Sequence, residues 1–255
     1  MQIRVIDNVF CRVSIRPNTT GDIWFFHGFG SFSGSFETAF TSILVNQFNL
    51  YAIDFPGFGV SPLIGGQTAL PDSCQVALNL IRKTSPNRKV FIVAHALSGI
   101  IGARICRELS DQIGGYVSIE GSLTAADIFF AGFVVNFASP EAFQQGLLQM
   151  IYDGMEDNPG FQGYYASLRL AHPQALAGWG SSAVALGNEQ NAGREFSELN
   201  CKKLYYWGRR STAVVTQEFL KANHVPNKEY QNAGHTPMIE QPEQCYQDML
   251  AFFTT

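Results

Sequence analysis

Gly234-His235-Thr236-Pro237 sets a histidine on a glycine turn near the C-terminus, after an apolar run and before a final helical stretch. Imidazole is the side chain whose ordinary pKa suits it to pass protons near neutrality. Ser118-Ile119-Glu120-Gly121 ends another apolar run in a carboxylate. Such a group can orient an imidazole and stabilise its charged form. His27-Gly28-Phe29-Gly30 follows a third run, and its glycines allow a tight turn that aims a backbone N–H inward. Val93-Ala94-His95-Ala96-Leu97-Ser98-Gly99 joins a buried strand directly to a helix. A turn that sharp forces its apex, Ala96, into strained backbone geometry and leaves no room for bulk on either side. Ala94 and Ser98, two residues before and two after, meet that demand, and Gly99 lets the helix pack close. A base, an acid and an inward N–H are equipment for attack on an acyl carbonyl. The apex lacks the lone pair that such an attack needs.

These segments resemble the α/β-hydrolase family. Residues 94–98 look like its nucleophile elbow, Gly-x-Ser-x-Gly, with Ala94 and Ser98 in place of the glycines. In that family the apex is serine, or less often aspartate or cysteine, so Ala96 marks a departure that removes the covalent step. His27-Gly28-Phe29-Gly30 resembles the family's His-Gly-x loop. By that match the N–H groups of Phe29 and Leu97 form the oxyanion hole, each donor being typically worth ~10²–10³ in rate. Ala233-Gly234-His235 followed by Glu240-Gln241-Pro242 matches the loop of the general base. Many relatives place the acid after the strand at 204–207. Here Trp207-Gly208-Arg209-Arg210-Ser211 puts serine there, and a hydroxyl cannot balance an imidazolium. A subset, haloalkane dehalogenases among them, carries the acid at the end of the preceding strand, where Glu120 stands. A dehalogenase itself is disfavoured, because Leu97 and not a halide-binding tryptophan follows the apex. Asp54-Phe55-Pro56-Gly57-Phe58-Gly59 matches a structural turn of the family, and His95 beside the apex is structural there too.

The elements that must position these residues follow from periodicity. Short apolar runs at 23–26, 50–53, 90–93, 116–119 and 204–207 read as strands covered on both faces. Val9 to Ile15 suggests an early hairpin, and Lys228-Glu229-Tyr230 a weaker last strand. Helices are expected at 35–47, 70–84, 98–110, 212–223 and 243–253. This alternation predicts a parallel sheet with helices on both faces. The resemblance implies a mostly parallel sheet of about eight strands. Residues 122–197 break the alternation and read as several short helices. The expected division is therefore a core of 1–121 and 198–255 with a helical cap insertion at 122–197 over the strand ends.

Composition narrows the function further. The chain is 46% apolar with a net charge of −4 and no basic run, so nucleic acid is a poor partner. No apolar stretch approaches the length of a membrane span, and the first residues lack the layout of a secretory signal. Cys11, Cys74, Cys106, Cys201 and Cys245 are scattered, odd in number and without a Cys-x-x-Cys pair. Neither a disulfide framework nor a zinc site is suggested, no metal or organic cofactor is implied, and a reducing cytoplasm is expected.

The insertion opens with a run of aromatic and apolar residues. Phe129, Phe130, Phe133 and Phe137, with Trp179 from the insertion and Phe32 near the oxyanion loop, are the expected lining of a closed apolar pocket. The leading expectation is a serine hydrolase acting on an ester, thioester, lactone or activated amide of a medium-sized apolar or acyl substrate, as a monomer or homodimer. Ala96 then stands where a serine was deliberately replaced, since the other parts remain in place. Two alternatives stand beside it: a natural small-ligand binding protein, and a carbon–carbon hydrolase or lyase on the same scaffold. Ser98, on the first helical turn, is expected to be a small packing residue. Arg209 and Arg210 are expected in surface ion pairs, and His172 and His224 on the surface.

Overall fold

A computed structural model describes residues 1–158, 160–189 and 191–255 of the chain. Its strands are β1 (Gln2–Ile6), β2 (Val9–Ser14), β3 (Gly21–Phe26), β4 (Phe48–Ile53), β5 (Val90–His95), β6 (Ile113–Ile119), β7 (Lys203–Gly208) and β8 (Asn227–Tyr230). They form one sheet in the order β1-β2-β4-β3-β5-β6-β7-β8. β1 and β2 pair antiparallel, as do β2 and β4, and the other pairings are parallel.

The early hairpin is built differently from the sequence expectation. Val9–Ser14 is its second strand only, and Gln2–Ile6 supplies the first. Asp7 and Asn8 turn the chain at φ 51° and 65°, the left-handed geometry that a two-residue hairpin loop requires and that Asp and Asn tolerate. The exposed, polar-interrupted pattern of β1 hid it from an apolar-run reading.

β3, β4 and β5 are buried along their whole lengths. Their side chains divide between two cores with a period of two. Trp24 and Phe26 face the core shared with the helices α1 (Leu70–Thr84) and α2 (Ser98–Glu108). Ile23 and Phe25 face the opposite core, closed by the 3-10 turns at Ser33–Thr41 and Ile43–Asn46 and by a C-terminal helix at Pro242–Thr254. The helix expected at 35–47 is thus a pair of 3-10 turns.

Between β6 and β7 the described residues hold helices and no strand. A 3-10 turn at Ala125–Ile128 leads into α3 (Phe129–Gly132), and a second at Phe133–Asn136 leads into α4 (Pro140–Asp153). Then come α5 (Gly160–Leu170), α6 (Pro173–Glu189) and α7 (Asn191–Ser197). Residues 159 and 190 of the expected 122–197 insertion lie outside the described residues. This helical segment packs on the loops that leave β3 and β4. The His172 amide donates to the Gly57 carbonyl at 2.6 Å. A Cβ placed on Gly30 would meet Leu168 at 2.7 Å and the Tyr164 hydroxyl at 3.0 Å. After β7 come α8 (Val214–Ala222), α9 (Pro237–Glu240) and α10, the C-terminal helix at Pro242–Thr254.

Candidate active site

β5 ends at His95 and α2 starts at Ser98, so Ala96 and Leu97 make the whole strand-to-helix turn. Ala96 takes φ 52°, the left-handed region that costs a residue with a Cβ roughly 1–2 kcal/mol. The surrounding bonds hold it there. Its N–H donates to the Ile119 carbonyl at 2.9 Å, and its carbonyl accepts from Gly99 at 2.9 Å and Ser122 at 3.3 Å. Ser98 does not face the apex: its hydroxyl is buried and shared between the carbonyls of Phe26 and His95, both at 2.9 Å.

The loop after β3 lies against this turn. A Cβ on Gly28 would come within 3.0 Å of the Ala96 Cβ and 2.8 Å of His95 Nδ1, so only glycine allows the approach. His27 anchors the loop. Its Nε2 accepts from the Phe55 N–H at 3.0 Å, which leaves Nδ1 protonated to donate to the Gly28 carbonyl at 2.9 Å. Burial pushes the His27 pKa down and keeps this neutral form. Among the described residues, no acceptor takes the N–H of Phe29 or of Leu97. Both residues are buried overall, and their N–H groups are left free to meet a ligand oxygen.

Glu120 follows β6 directly, at φ 48° and nearly fully buried. Its Oε2 is 3.1 Å from His235 Nδ1. Its Oε1 accepts from the Gly208 N–H at 2.6 Å and from the Thr212 hydroxyl. The carboxylate is thus fixed on both oxygens. Thr212 was not apparent from the sequence, since nothing near it in the chain marks it as the carboxylate's donor.

The His235 carbonyl accepts from His95 Nε2 at 2.8 Å, and the two rings lie 4.7 Å apart. The loop that bears His235 is therefore bonded to the residue immediately before Ala96. Burial, then the neighbouring His235 charge, lowers the His95 pKa to about 3. His95 is therefore a neutral donor, and its Nδ1 has no partner among the described residues. Glu240 accepts from the Gly234 N–H at 2.9 Å and from the Thr236 hydroxyl at 3.2 Å, and pairs with Arg210. Arg209 pairs with Glu229 at 2.7 Å. A Cβ on Gly208 would fall 2.1 Å from the Gly234 carbonyl, so the β7 end and the histidine loop touch backbone to backbone.

The aromatic residues divide. Phe130 packs near Phe161 and Tyr164, with ring centroids 6.0 and 5.8 Å away. Phe137 leans on Phe143, which in turn meets Phe29. Phe133 is partly buried, while Phe129 is 64% exposed. Trp179 is placed otherwise than expected. It is fully buried, donates from Nε1 to Ser73 at 2.9 Å and stacks on His27, so it joins the helical segment to the core. Phe32 also lies apart, with the Arg12 guanidinium 5.9 Å from its ring centroid and its Cβ near Gly59. The expected closed pocket is open at the histidine, whose side chain is 52% exposed. Tyr164 was only one aromatic among many in the sequence. Its hydroxyl lies beside Gly30 of the oxyanion loop with no hydrogen-bond partner among the described residues, and desolvation pushes its pKa up.

Among the described residues there is no cluster of three or more His, Cys, Asp or Glu side chains that could hold a metal ion. No helix among them is long and apolar enough to cross a membrane.

The model of the alpha/beta hydrolase family matches residues 25–248. No curated protein sequence matches the chain. Solved structures are similar throughout their length. A hydrolase from Pseudomonas aeruginosa has a TM-score of 0.75 at 16% identity, covering 100% of this chain and 98% of its own. An esterase from Thermogutta terrifontis has a TM-score of 0.73 at 18% identity, covering 97% and 95%. The N-acyl homoserine lactonase AidH has a TM-score of 0.76 at 14% identity, covering 99% and 96%.

Proposed function

The chain belongs to the alpha/beta hydrolase family, and from that premise we propose that its site is an acyl-hydrolase site whose nucleophile position is filled by Ala96. One observation carries the reading. A carboxylate–imidazole pair whose histidine loop is bonded to the residue before Ala96, two N–H groups without an acceptor among the described residues, and a left-handed residue at a strand-to-helix turn together support it. That is a complete set for acyl transfer, less one oxygen.

With a serine at position 96, the chemistry runs as follows. The hydroxyl attacks the carbonyl carbon of an ester, thioester, lactone or activated amide. His235 takes its proton at Nε2, because Nδ1 is engaged by Glu120. Glu120 balances the imidazolium and holds its orientation. The Phe29 and Leu97 N–H groups receive the oxyanion. The imidazolium returns the proton to the leaving group, and a water deprotonated by His235 then releases the acid. The helical segment at 122–197 acts as the cap, with Phe130, Phe133 and Phe137 offering apolar contact to the acyl part. Ala96 offers no electron pair, so the chain as it stands binds such a substrate without turning it over. Resemblance to structures named hydrolase, esterase and lactonase agrees with this substrate class.

A second reading takes Ala96 as the residue of a natural binding protein. The discriminating experiment is hydrolysis of p-nitrophenyl butyrate by the Ala96→Ser variant. Losing a nucleophile costs roughly 10⁶ in kcat, so the proposal expects a gain of several orders of magnitude that disappears again on adding His235→Ala. A folded Ala96→Ser protein no faster than the parent supports the binding protein instead.

A further inference from the structure

Away from this site, β1 ends the sheet and leaves its outer edge open. Its register on β2 is continuous, with Ile3 opposite Arg12, Arg4 opposite Cys11 and Val5 opposite Phe10. Phe10 donates its N–H to the Ser61 hydroxyl at 2.8 Å, and its carbonyl accepts from the Asp54 N–H at 2.9 Å. Val5 and Phe10 therefore exchange no backbone bonds. In an antiparallel ladder such pairs alternate with bonded ones, so Ile3 and Val5 both turn N–H and C=O to the open edge. Their side chains stand in water as well, 61% and 69% exposed, with Met1 exposed beside them. Phe10 carries this apolar face on to β2. β1 holds no proline and no bulge, two of the features that keep an open edge from pairing, and Arg4 is its one charge.

We propose that β1 pairs with β1 of a second copy of this chain, antiparallel about a two-fold axis through Ile3, so that two sheets join edge to edge. Residues whose amides point outward must face one another, which matches odd positions with odd ones. Two such registers cover most of the strand. With Arg4 on the axis, the two guanidinium groups stand directly opposite, and like charges so placed are destabilising. With Ile3 on the axis, Ile3 faces the partner's Ile3, Met1 faces the partner's Val5, and Gln2 faces the partner's Arg4. The second register is therefore selected. The two Ile3 residues exchange both backbone bonds across the axis, and each Val5 N–H donates to the opposite Met1 carbonyl. Within one chain Arg4 already donates to the Gln2 side chain at 3.3 Å, and the pairing repeats that match on both sides of the axis.

A second copy fits this edge because its pattern closes on itself. Every apolar position meets an apolar one, and each Arg4 meets an uncharged acceptor. An interface on a two-fold axis must be self-complementary in this way. The contact also lies clear of the site. Three strands, β2, β4 and β3, stand between β1 and β5, whose end leads into Ala96. The pairing therefore holds whatever reaction the site performs.

The test begins with sedimentation velocity of the unmutated protein from micromolar to submillimolar concentration. The expected result is a species of twice the chain mass at the upper end. Ile3→Glu sets two carboxylates on the axis at an exposed position and should sediment as a monomer with unchanged circular dichroism. The register is read by cross-linking in a Cys201→Ser background, the other four cysteines being buried. Gln2→Cys mixed with Arg4→Cys should give a disulfide-linked dimer on mild oxidation, because directly opposite residues of a non-bonded pair lie about 4.5 Å apart at Cα. Neither variant should link to itself, since like positions are then about 8 Å apart, beyond the span of a disulfide. The proposal is overturned if the unmutated protein stays monomeric throughout, or if Ile3→Glu dimerises as well as the parent. It is equally overturned if the mixture fails to link or if Arg4→Cys links to itself. The first of these results is read on the unmutated chain, so it does not depend on how a variant folds.

Discussion

Glu120 Oε2 lies 3.1 Å from His235 Nδ1, a contact made across 115 positions of sequence. The other carboxylate oxygen is held by Gly208 and Thr212, so the carboxylate cannot turn away from the ring. One oxygen orients the imidazole while the other is anchored to the end of β7. Replacement by an amide breaks one of the two functions, because its NH2 must take one of the two positions where an acceptor is needed. In the Ala96→Ser background, Glu120→Gln should lower kcat by about 10³–10⁴ with little change in KM. Steady-state kinetics on p-nitrophenyl butyrate reads the split. A loss confined to KM would remove Glu120 from the proposed mechanism.

Tyr164 supplies a second expectation. Its hydroxyl lies beside Gly30 without a hydrogen-bond partner among the described residues, which leaves it free to meet a polar substrate atom at that spot. In the same background Tyr164→Phe should raise KM about 2–10-fold, the effect of one lost neutral hydrogen bond. The thermal midpoint should not fall, since no internal bond is removed. An unchanged KM would show that substrate does not reach the phenol.

Trp179 and Phe129 test the division of the aromatic residues. Trp179 is fully enclosed and hydrogen-bonded to Ser73, so Trp179→Ala should cost about 3–5 kcal/mol in urea unfolding. Phe129 is 64% exposed, and Phe129→Ala should fall within about 0.5 kcal/mol of the parent. Equal effects would contradict the core placement of Trp179.

His95 sets an acid limb. Burial lowers its pKa from 6.5 to about 3 in the folded chain. Above pH 6.5 it is neutral in both states and adds no pH dependence. Between those two values the unfolded chain binds a proton that the folded chain does not, so stability rises with pH and is lost on acidification. The slope from one such group approaches ~1.4 kcal/mol per pH unit. His95→Gln should flatten the stability profile between pH 6 and pH 4 by about 1 kcal/mol per unit, measured by urea unfolding at each pH. His27 is also held neutral, but it is present in both proteins and cancels. An identical slope in the two proteins would refute the assignment.

The elbow, the histidine loop and the strand-end carboxylate were legible because each is a short stretch whose residue types are forced by local geometry. Ala96 at φ 52° and Gly28 against its Cβ are consequences of turns that the small residues already announce. Thr212 and Tyr164 were not legible as site residues. Their roles arise from tertiary contacts with Glu120 and Gly30, and an isolated threonine or tyrosine carries no such signal. Trp179 misled for the same reason: a large ring in an insertion can face a pocket or a core, and only its contact with Ser73 and His27 places it. The strand Gln2–Ile6 escaped because its side chains are exposed and its sequence lacks the apolar run that marks the buried strands.

The central claim is that the chain lacks only a nucleophilic oxygen. The most direct measurement is the intact mass of the Ala96→Ser protein after exposure to a fluorophosphonate, with the parent chain and the doubly substituted Ala96→Ser, His235→Ala protein alongside. The account predicts one stoichiometric adduct at position 96 of the single variant and none on the other two. A folded Ala96→Ser protein whose mass stays unchanged would contradict it.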